Sequence, residues 1–241
     1  MATCSILDID IEVGSEDSLF EKALRLVGTG GVICTPNPLI LSRSVEDAPL
    51  RRALHEADLG IPDGIGLRPY LRAVDPRAAV LPGVALGEML AKRVKSIGLV
   101  GGRKGIAERA FSYLAAHNPT LSASFLLSGY DTPLSELLSR LREEKPQLCL
   151  VCLGSPLQEI LMQALRHYSP STLFLGLGGS LDVYAGAVRR APRPIRAVHL
   201  EWLYRMIREP RRLRELPVLL RFPFLCEKYR QKNHKVTKNA I

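Results

Sequence analysis

A carboxylate in the turn at residues 61–64 (Ile-Pro-Asp-Gly) is the first candidate for chemistry in this sequence. Asp63 follows a short apolar segment, so it stands where a strand would end. A carboxylate held in such a place can act as a general base, which contributes about 10²–10⁴ in rate. Pro-Asp-Gly is also a common plain turn. The residue alone is therefore compatible with catalysis and with a simple change of chain direction.

Polar side chains follow three further apolar segments. Thr35 and Asn37 lie in Thr-Pro-Asn-Pro, and Gln158 and Glu159 lie in the run 154–159 (Gly-Ser-Pro-Leu-Gln-Glu). A Gln-Glu pair in a first helical turn can compensate the helix dipole, and at the end of a strand it can equally bind sugar hydroxyls. The other candidates for binding in these strand-end segments are Gly154, Gly178, Gly179 and Asp182.

Residues 101–105 (Gly-Gly-Arg-Lys-Gly) follow a predicted strand and open a predicted helix. Backbone N–H groups at such a helix N-terminus attract phosphate. The pattern is neither a P-loop nor the dinucleotide fingerprint. A phosphate-binding turn and a tight turn without a ligand are equally compatible with it.

Three other patterns are interpreted as structural. Cys149 and Cys152 form a CxxC inside an apolar strand, where the spacing points the two sulfurs to opposite faces, so we expect core packing. Asp8 and Asp10 form a DxD in the predicted first strand without a supporting cluster, and we expect a solvent-facing strand edge. The histidines show no metal-ligand spacing. The sequence therefore predicts neither a metal site nor a cofactor.

The elements that must position these residues alternate between strands and helices. Apolar segments rich in Val, Ile and Leu, without strict alternation, are typical of a parallel sheet buried on both faces. We predict a Rossmann-like α/β fold, in which ligands bind beyond the carboxyl ends of the strands. The predicted strands cover residues 5–13, 31–35, 58–61, 96–101, 121–127, 147–153 and 172–177, and the main helices cover 16–27, 51–57, 106–117, 134–144 and 156–167.

Composition limits the class of protein. The chain has 241 residues, of which 46% are hydrophobic and 24% are charged, as in soluble globular proteins. No segment reaches the roughly 18 consecutive apolar residues of a membrane-spanning helix, and the N-terminus lacks the pattern of a secretory signal. Five scattered cysteines indicate a reducing cytoplasm rather than a disulfide framework.

Positive charge is concentrated at the C-terminal end. Residues 187–241 hold 15 of the 33 Lys and Arg but only 4 of the 24 Asp and Glu, a net charge of +11, whereas the preceding residues carry a net −2. We predict a body over residues 1–193 and a basic helical appendage over residues 194–241. Such an appendage indicates an anionic partner: nucleic acid, a phosphorylated ligand or an acidic membrane surface.

A helix over residues 200–212 would separate apolar from basic side chains. Its apolar side would hold Leu200, Leu203, Tyr204, Met206 and Ile207, and its basic side Arg205, Arg208 and Arg212. This pattern is typical of a helix lying on an anionic membrane, and a terminal helix docked on the body fits it equally. The following apolar run, 216–225, is too short and too interrupted to span a bilayer, but it could lie in the interface.

Taken in order, these motifs resemble the WecG/TagA/CpsF glycosyltransferase family over roughly residues 5–225, and the last two blocks are highly specific. The blocks are Thr-Pro-Asn at 35–37, Ala-Asp at 57–58 with Pro-Asp-Gly at 62–64, Gly-Ser-Pro-Leu-Gln-Glu at 154–159, Gly-Leu-Gly-Gly at 176–179, Ala-Gly at 185–186 followed by Arg-Ala-Pro at 190–192, and Glu-Trp-Leu-Tyr-Arg at 201–205.

The resemblance implies an inverting transfer of a sugar of the ManNAc, ManNAcA or Glc class. The donor would be a UDP-sugar, and the acceptor a polyprenyl-diphosphate-linked sugar at the cytoplasmic face of a bacterial membrane. Asp63 would be the base, and Thr35, Asn37 and Gln158 would line the sugar pocket. The appendage would touch the membrane and complete the site with arginines, for which the candidates are Arg205, Arg208, Arg212 and Arg214.

The sequence departs from the family pattern in two places. Leu157 stands where the family usually has Lys, and residues 80–86 keep the Gly and Leu of an Arg-x-x-Gly-x-Asp-Leu block but lack its Arg and Asp, around Leu81 and Ala85. The second departure bears on the identity of the donor sugar.

A non-catalytic α/β module that binds nucleic acid or a membrane is the alternative function. Aromatic residues make up only 6% of the chain, and those of the appendage alternate with aliphatic residues, as membrane anchors do. Exposed stacking aromatics along a basic groove would favour nucleic acid. We therefore expect no nucleic-acid partner, and the sequence leaves assembly into a homo-oligomer open.

Overall fold

The computed structural model describes residues 2–188, 191–192, 195, 201–208 and 210–238. Near the N-terminus, two short antiparallel strands, β1 (Thr3–Ile6) and β2 (Ile9–Glu12), form a hairpin. The sequence prediction of one strand over residues 5–13 is therefore wrong. Leu7 and Asp8 have φ angles of 55° and 64° and form the two-residue turn, and leucine gives no signal for that conformation.

A six-stranded sheet, in which every neighbouring pair of strands is parallel, lies at the centre of the described structure. Its spatial order is β4-β3-β8-β7-β5-β6, which confirms the predicted α/β class. The strands are β3 (Gly31–Cys34), β4 (Leu59–Gly60), β5 (Ser96–Gly101), β6 (Ser122–Leu127), β7 (Leu148–Cys152) and β8 (Leu173–Gly176).

Helices cover both faces of the sheet because its strands are apolar on both sides. In chain order the described α-helices are α1 (Glu16–Leu24), α2 (Pro38–Ser44), α3 (Ala48–His55), α4 (Arg68–Arg72), α5 (Gly83–Ala91), α6 (Ile106–His117), α7 (Leu134–Glu144), α8 (Leu157–Leu165), α9 (Ser180–Tyr184), α10 (Glu201–Arg208) and α11 (Leu216–Lys238). The hairpin and helices α2, α3, α4, α7 and α8 pack on one face. Helices α1, α5, α6 and α9 pack on the other.

The C-terminal segment ends in a helix that packs against the body. Helix α11 follows a 3₁₀ helix, Pro210–Glu215, and contacts α2. Phe222 is only 3% exposed and meets the ring of Tyr70 edge to face, with the ring centroids 5.5 Å apart. Residues 193 and 194, where we predicted the domain boundary, lie outside the described residues, so that division stays a prediction.

Other apolar side chains of the C-terminal segment face outward. Trp202, Leu203, Leu220 and Phe224 are exposed. Met206 is buried whereas Ile207 is 70% exposed, so part of the predicted apolar stripe packs against the protein and part faces outward. Leu200 of that stripe lies outside the described residues. Within the part of the chain that the structure describes, no helix has the length and apolar composition needed to cross a membrane.

Candidate active site

The predicted site residues come together along the carboxyl ends of the parallel strands. The connection from β5 to β6 passes through α6 on one face of the sheet, and the connection from β7 to β8 passes through α8 on the opposite face. The strands β5 and β7 are neighbours, so a crevice opens between the loops that leave them. This is the place where sheets of this class bind their ligands.

The turn that carries Asp63 is fixed against the loop after β3. The Asp63 backbone N–H donates to the Pro36 carbonyl oxygen at 2.9 Å, and the Pro62 carbonyl oxygen accepts from the Leu81 N–H at 2.9 Å. Gly64 follows with a φ angle of 90°, which favours glycine. The half-buried Asp63 therefore lies beside the Thr35–Asn37 loop, as the strand-end rule predicts.

Thr35 and Asn37 both form bonds within the protein. The buried Thr35 hydroxyl donates to the Gly176 carbonyl oxygen at 2.9 Å and so ties β3 to the end of β8. Asn37 caps α2, because its side-chain oxygen accepts from the Ile40 N–H at 3.0 Å. Sugar binding by these two residues stays a prediction.

Gln158 joins the loops that leave β7 and β8. Its side chain is 2% exposed, and its oxygen accepts from the Gly154 N–H at 3.2 Å and from the Gly178 N–H at 2.8 Å. Its amide nitrogen donates to Glu159 Oε1 at 2.8 Å. The structure therefore holds Gln158 in the wall of the site, and contact with a sugar stays a prediction.

Glu159 is a buried carboxylate beneath the same loops. It is 1% exposed, and burial raises its pKa, while the hydrogen bond from Gln158 lowers it in part. Burial, and then the charge of Glu159, raise the pKa of the Cys34 thiol well above its ordinary value. Glu159, in the first turn of α8, therefore lies near enough to Cys34, at the end of β3, for its charge to act on that thiol.

The glycine pair after β8 begins helix α9. Gly178 has a φ angle of 52° and Gly179 directly precedes α9, while Asp182 lies half-buried in that helix. The negative charge of Asp182 adds to burial in raising the pKa of Cys152 to about 12. Cys152 and Cys149 pack on opposite faces of the sheet, as predicted from their spacing.

The loops at the crevice between β5 and β7 approach closely. A Cβ at Gly101 would lie 2.4 Å from the Cys152 carbonyl oxygen, and its φ angle of 144° favours glycine as well. Gly102 accepts from the Gly129 N–H at 2.9 Å, and Gly105 precedes the first turn of α6. Arg103 and Lys104 are exposed in the same loop.

The block at residues 80–86, which lacks the Arg and Asp of the family pattern, lies next to Thr35. Leu81 is buried, Ala85 is half-buried in the first turn of α5, and Gly83 begins that helix. A Cβ at Gly83 would lie 3.3 Å from the Thr35 hydroxyl oxygen. The sequence analysis identified this block but did not predict its contact with Thr35. The available signal was Gly83, because a glycine between two apolar residues can mark a close approach.

The structure describes the side chains of only two of the four candidate arginines in the C-terminal segment. Arg208 and Arg214 are exposed. Side-chain positions of Arg205 and Arg212 lie outside what the structure describes.

Asp8 of the DxD pattern lies in the hairpin turn and forms an ion pair with Arg51 at 2.8 Å, and Asp10 is exposed. Within the described residues, no group of three His, Cys, Asp or Glu side chains could hold a metal ion.

The sequence matches known proteins over most of its length. The model of the glycosyl transferase WecG/TagA/CpsF family matches residues 4–237. The chain is similar to the N-acetylglucosaminyldiphosphoundecaprenol N-acetyl-beta-D-mannosaminyltransferase of Bacillus subtilis (strain 168), with 30% identity over 192 residues, 78% of this chain and 75% of the relative. The enzyme of the same name from Bacillus spizizenii is 29% identical over 213 residues, 86% of this chain and 83% of that protein.

Proposed function

The chain belongs to the WecG/TagA/CpsF family of glycosyltransferases, and we propose that it transfers an N-acetylhexosamine from a UDP-sugar to a polyprenyl-diphosphate-linked sugar. The names of the two Bacillus relatives describe transfer of N-acetyl-beta-D-mannosamine to N-acetylglucosaminyldiphosphoundecaprenol. The observation that carries the proposal is the position of Asp63, fixed at the strand ends beside Thr35 and Asn37.

Asp63 is the proposed general base of a single displacement. Its carboxylate takes the proton from the acceptor hydroxyl as that oxygen forms a bond to the anomeric carbon of the donor sugar. The bond from that carbon to the diphosphate oxygen breaks, and UDP leaves with the electron pair. One displacement inverts the anomeric configuration, so this mechanism needs no second carboxylate as a nucleophile.

The crevice between β5 and β7 is the proposed place of the donor diphosphate. Gly101 and Gly102 leave no room for side chains at the end of β5, and α6 begins shortly after them, at Ile106. Backbone N–H groups at a helix N-terminus favour a diphosphate. Arg103 and Lys104 add positive charge at the same loop.

The donor sugar is proposed to be uncharged, of the ManNAc rather than the ManNAcA class. The first turn of α5 lies against Thr35 and carries Val84 and Ala85, and the buried Leu81 precedes it. A uronate carboxylate placed there would be desolvated without a cation from this block, which is costly. An N-acetyl group or a hydroxyl carries no such penalty.

The C-terminal segment is proposed to hold the enzyme on the cytoplasmic face of the membrane, where the lipid-linked acceptor is found. Exposed Trp202, Ile207, Leu220 and Phe224 stand beside exposed arginines. Each basic residue near an anionic bilayer contributes about 1 kcal/mol. Flotation with anionic liposomes, set against an electrophoretic shift assay with DNA and RNA, separates this role from nucleic-acid binding.

A product analysis tests the proposed reaction. The purified protein is incubated with a panel of UDP-sugars and a synthetic N-acetylglucosaminyl-diphosphoprenol, and products are identified by mass spectrometry and by the NMR coupling at the new glycosidic bond. We expect one added N-acetylhexosamine with inverted configuration. Transfer from UDP-ManNAcA in preference to UDP-ManNAc would overturn the donor proposal, and the absence of transfer from every UDP-sugar would overturn the reaction.

A further inference from the structure

The buried pair Gln158–Glu159 forms a chain of hydrogen bonds whose direction is set by its ends. Two backbone N–H groups, of Gly154 and Gly178, donate to the Gln158 side-chain oxygen. Because an N–H group can only donate, that oxygen must face the two loops. The Gln158 amide nitrogen must then face inward, where Glu159 Oε1 accepts from it at 2.8 Å.

Glu159 lacks an obvious reason to be buried other than this bond. It has no salt bridge among the described residues, and its second oxygen, Oε2, is buried there without a hydrogen bond, as is Ser155 Oγ. The backbone of Glu159 itself and the Ser155 hydroxyl also act to lower the pKa of Glu159, against the larger effect of burial, which raises it. A buried carboxyl group is costly to keep, so its presence indicates a requirement for an acceptor at this place.

The space around Gln158 leaves little freedom to move. A Cβ at Gly176 would lie 3.2 Å from Gln158 Nε2 and 2.8 Å from Met162 Cε. The amide therefore packs against the backbone at the end of β8, and a turn of the amide by 180° would place its nitrogen against two N–H groups. An acceptor at Glu159 adds a third hydrogen bond that only the observed orientation of the amide can form.

We propose that Glu159 is a positioning residue that orients the Gln158 amide and thereby fixes the loops after β7 and β8 relative to one another. Those loops carry Gly154 and Gly178 and border the site, so the pair sets the width of the site without touching a reacting atom. For its effect on turnover, the inference rests on the proposed transferase function; for its effect on the loops, it does not.

Exchanging the amide and the carboxylate between positions 158 and 159 tests the direction of this chain of hydrogen bonds. In Gln158→Glu the introduced carboxylate still accepts from both loop N–H groups, but its other oxygen faces Glu159. Two facing carboxyl groups must share a proton. Cys34 on β3, whose pKa is raised by burial and then by the charges of Glu159 and Asp58, stays a neutral thiol. We expect kcat/KM to fall roughly 10- to 100-fold, as for loss of a buried hydrogen bond, and to fall further as pH rises from 6 to 9.

The double variant Gln158→Glu with Glu159→Gln restores matched donors and acceptors. The amide introduced at 159 donates to the carboxylate introduced at 158, and kcat/KM is expected to return to within about threefold of wild type, without the added pH dependence. Glu159→Gln alone keeps an oxygen that can accept from the Gln158 amide, so the loops after β7 and β8 should stay fixed relative to one another. Glu159→Leu removes that acceptor, and its kcat/KM should fall as far as that of Gln158→Glu.

The experiment measures turnover of UDP-ManNAc with the synthetic lipid-linked acceptor and, independently, amide hydrogen exchange of Gly154 and Gly178 by NMR. Thermal melting confirms that each variant is folded. We expect exchange of both amides to quicken in Gln158→Glu and Glu159→Leu and to slow again in the double variant.

Three outcomes would overturn the proposal. The first is unchanged exchange of both amides in folded Gln158→Glu. The second is a double variant that is no better protected than Gln158→Glu. The third is restored protection without restored turnover, which would show that the Gln158 amide contacts the substrate itself. If wild type does not use UDP-ManNAc, the proposed function fails while the exchange measurements still decide the positioning role.

Discussion

The strand-end loops and the C-terminal segment differ in how their side chains are engaged. Polar groups of the strand-end loops form hydrogen bonds within the protein, whereas apolar groups of the C-terminal segment are exposed. At the strand ends, Thr35, Asn37 and Gln158 are engaged in bonds to the protein itself. In the C-terminal segment, Ile207 and Phe224 are exposed beside arginines. The first region is set before any ligand arrives, as catalysis requires. The second leaves apolar groups exposed, and the proposed contact with a membrane would bury them.

The largest effect is expected at the preset region. Asp63→Asn keeps the shape of the side chain but removes the base, so kcat should fall by about 10²–10⁴. The melting temperature should stay close to that of wild type, because the turn is held by backbone hydrogen bonds of residues 62 and 63. Steady-state kinetics with the synthetic acceptor measure this. Wild-type turnover by the variant would remove Asp63 from the mechanism.

Two phenylalanines of α11 allow the contrast to be drawn within one helix. Phe222 is 3% exposed and Phe224 is 78% exposed. Phe222→Ala should lower the free energy of unfolding by about 3–5 kcal/mol, as for other buried phenylalanines. Phe224→Ala should change it by less than about 0.5 kcal/mol and should instead weaken binding to anionic liposomes.

Denaturant unfolding and liposome flotation of both variants give the result. If Phe222→Ala left the stability of the body unchanged, the C-terminal segment would be an independent unit, as the division at residues 193 and 194 predicts. If Phe224→Ala still floated like wild type, its exposure would have no role in membrane binding. The two substitutions serve as controls for one another because both remove the same side chain.

The sequence predicted the strand-end loops better than the contacts made by their side chains. Parallel strands bring their carboxyl ends together whatever the details, so Asp63 and Thr35 could be placed in one region. The hydrogen bonds of Gln158 could not be predicted, because its orientation depends on Gly178, 20 residues away. The docking of Phe222 on Tyr70 was likewise hidden, because it joins distant parts of the chain.

Charge in the C-terminal segment gives the next effect in size. Arg208 and Arg214 are both exposed, and replacing both with alanine should weaken binding to anionic vesicles by about 1 kcal/mol for each residue. Arg77→Ala serves as the control, because its side chain is also highly exposed but belongs to the body. Sedimentation with vesicles of rising phosphatidylglycerol content gives the affinities. A loss for the control as large as the loss per residue in the test variant would show a general charge effect.

A smaller effect is expected from Thr35→Val. This change keeps the shape of the side chain and removes the bond to the buried Gly176 carbonyl oxygen. The free energy of unfolding should fall by about 1 kcal/mol, since one hydrogen bond is lost. If Thr35 also binds the sugar, KM for the donor rises in addition. Unchanged kinetics with the expected loss of stability would confine Thr35 to the wall of the site.

We expect the departing diphosphate to be neutralised without a divalent metal, so removal of metal should have no effect on the rate. EDTA should leave the initial rate unchanged, because the DxD pattern is used structurally through the Asp8–Arg51 ion pair. Arginines of the C-terminal segment and backbone N–H groups at α6 can supply the positive charge instead. Initial rates are measured with and without EDTA and after added Mg²⁺ or Mn²⁺. Loss of activity in EDTA that either ion restores would contradict this assignment and place the charge on a metal.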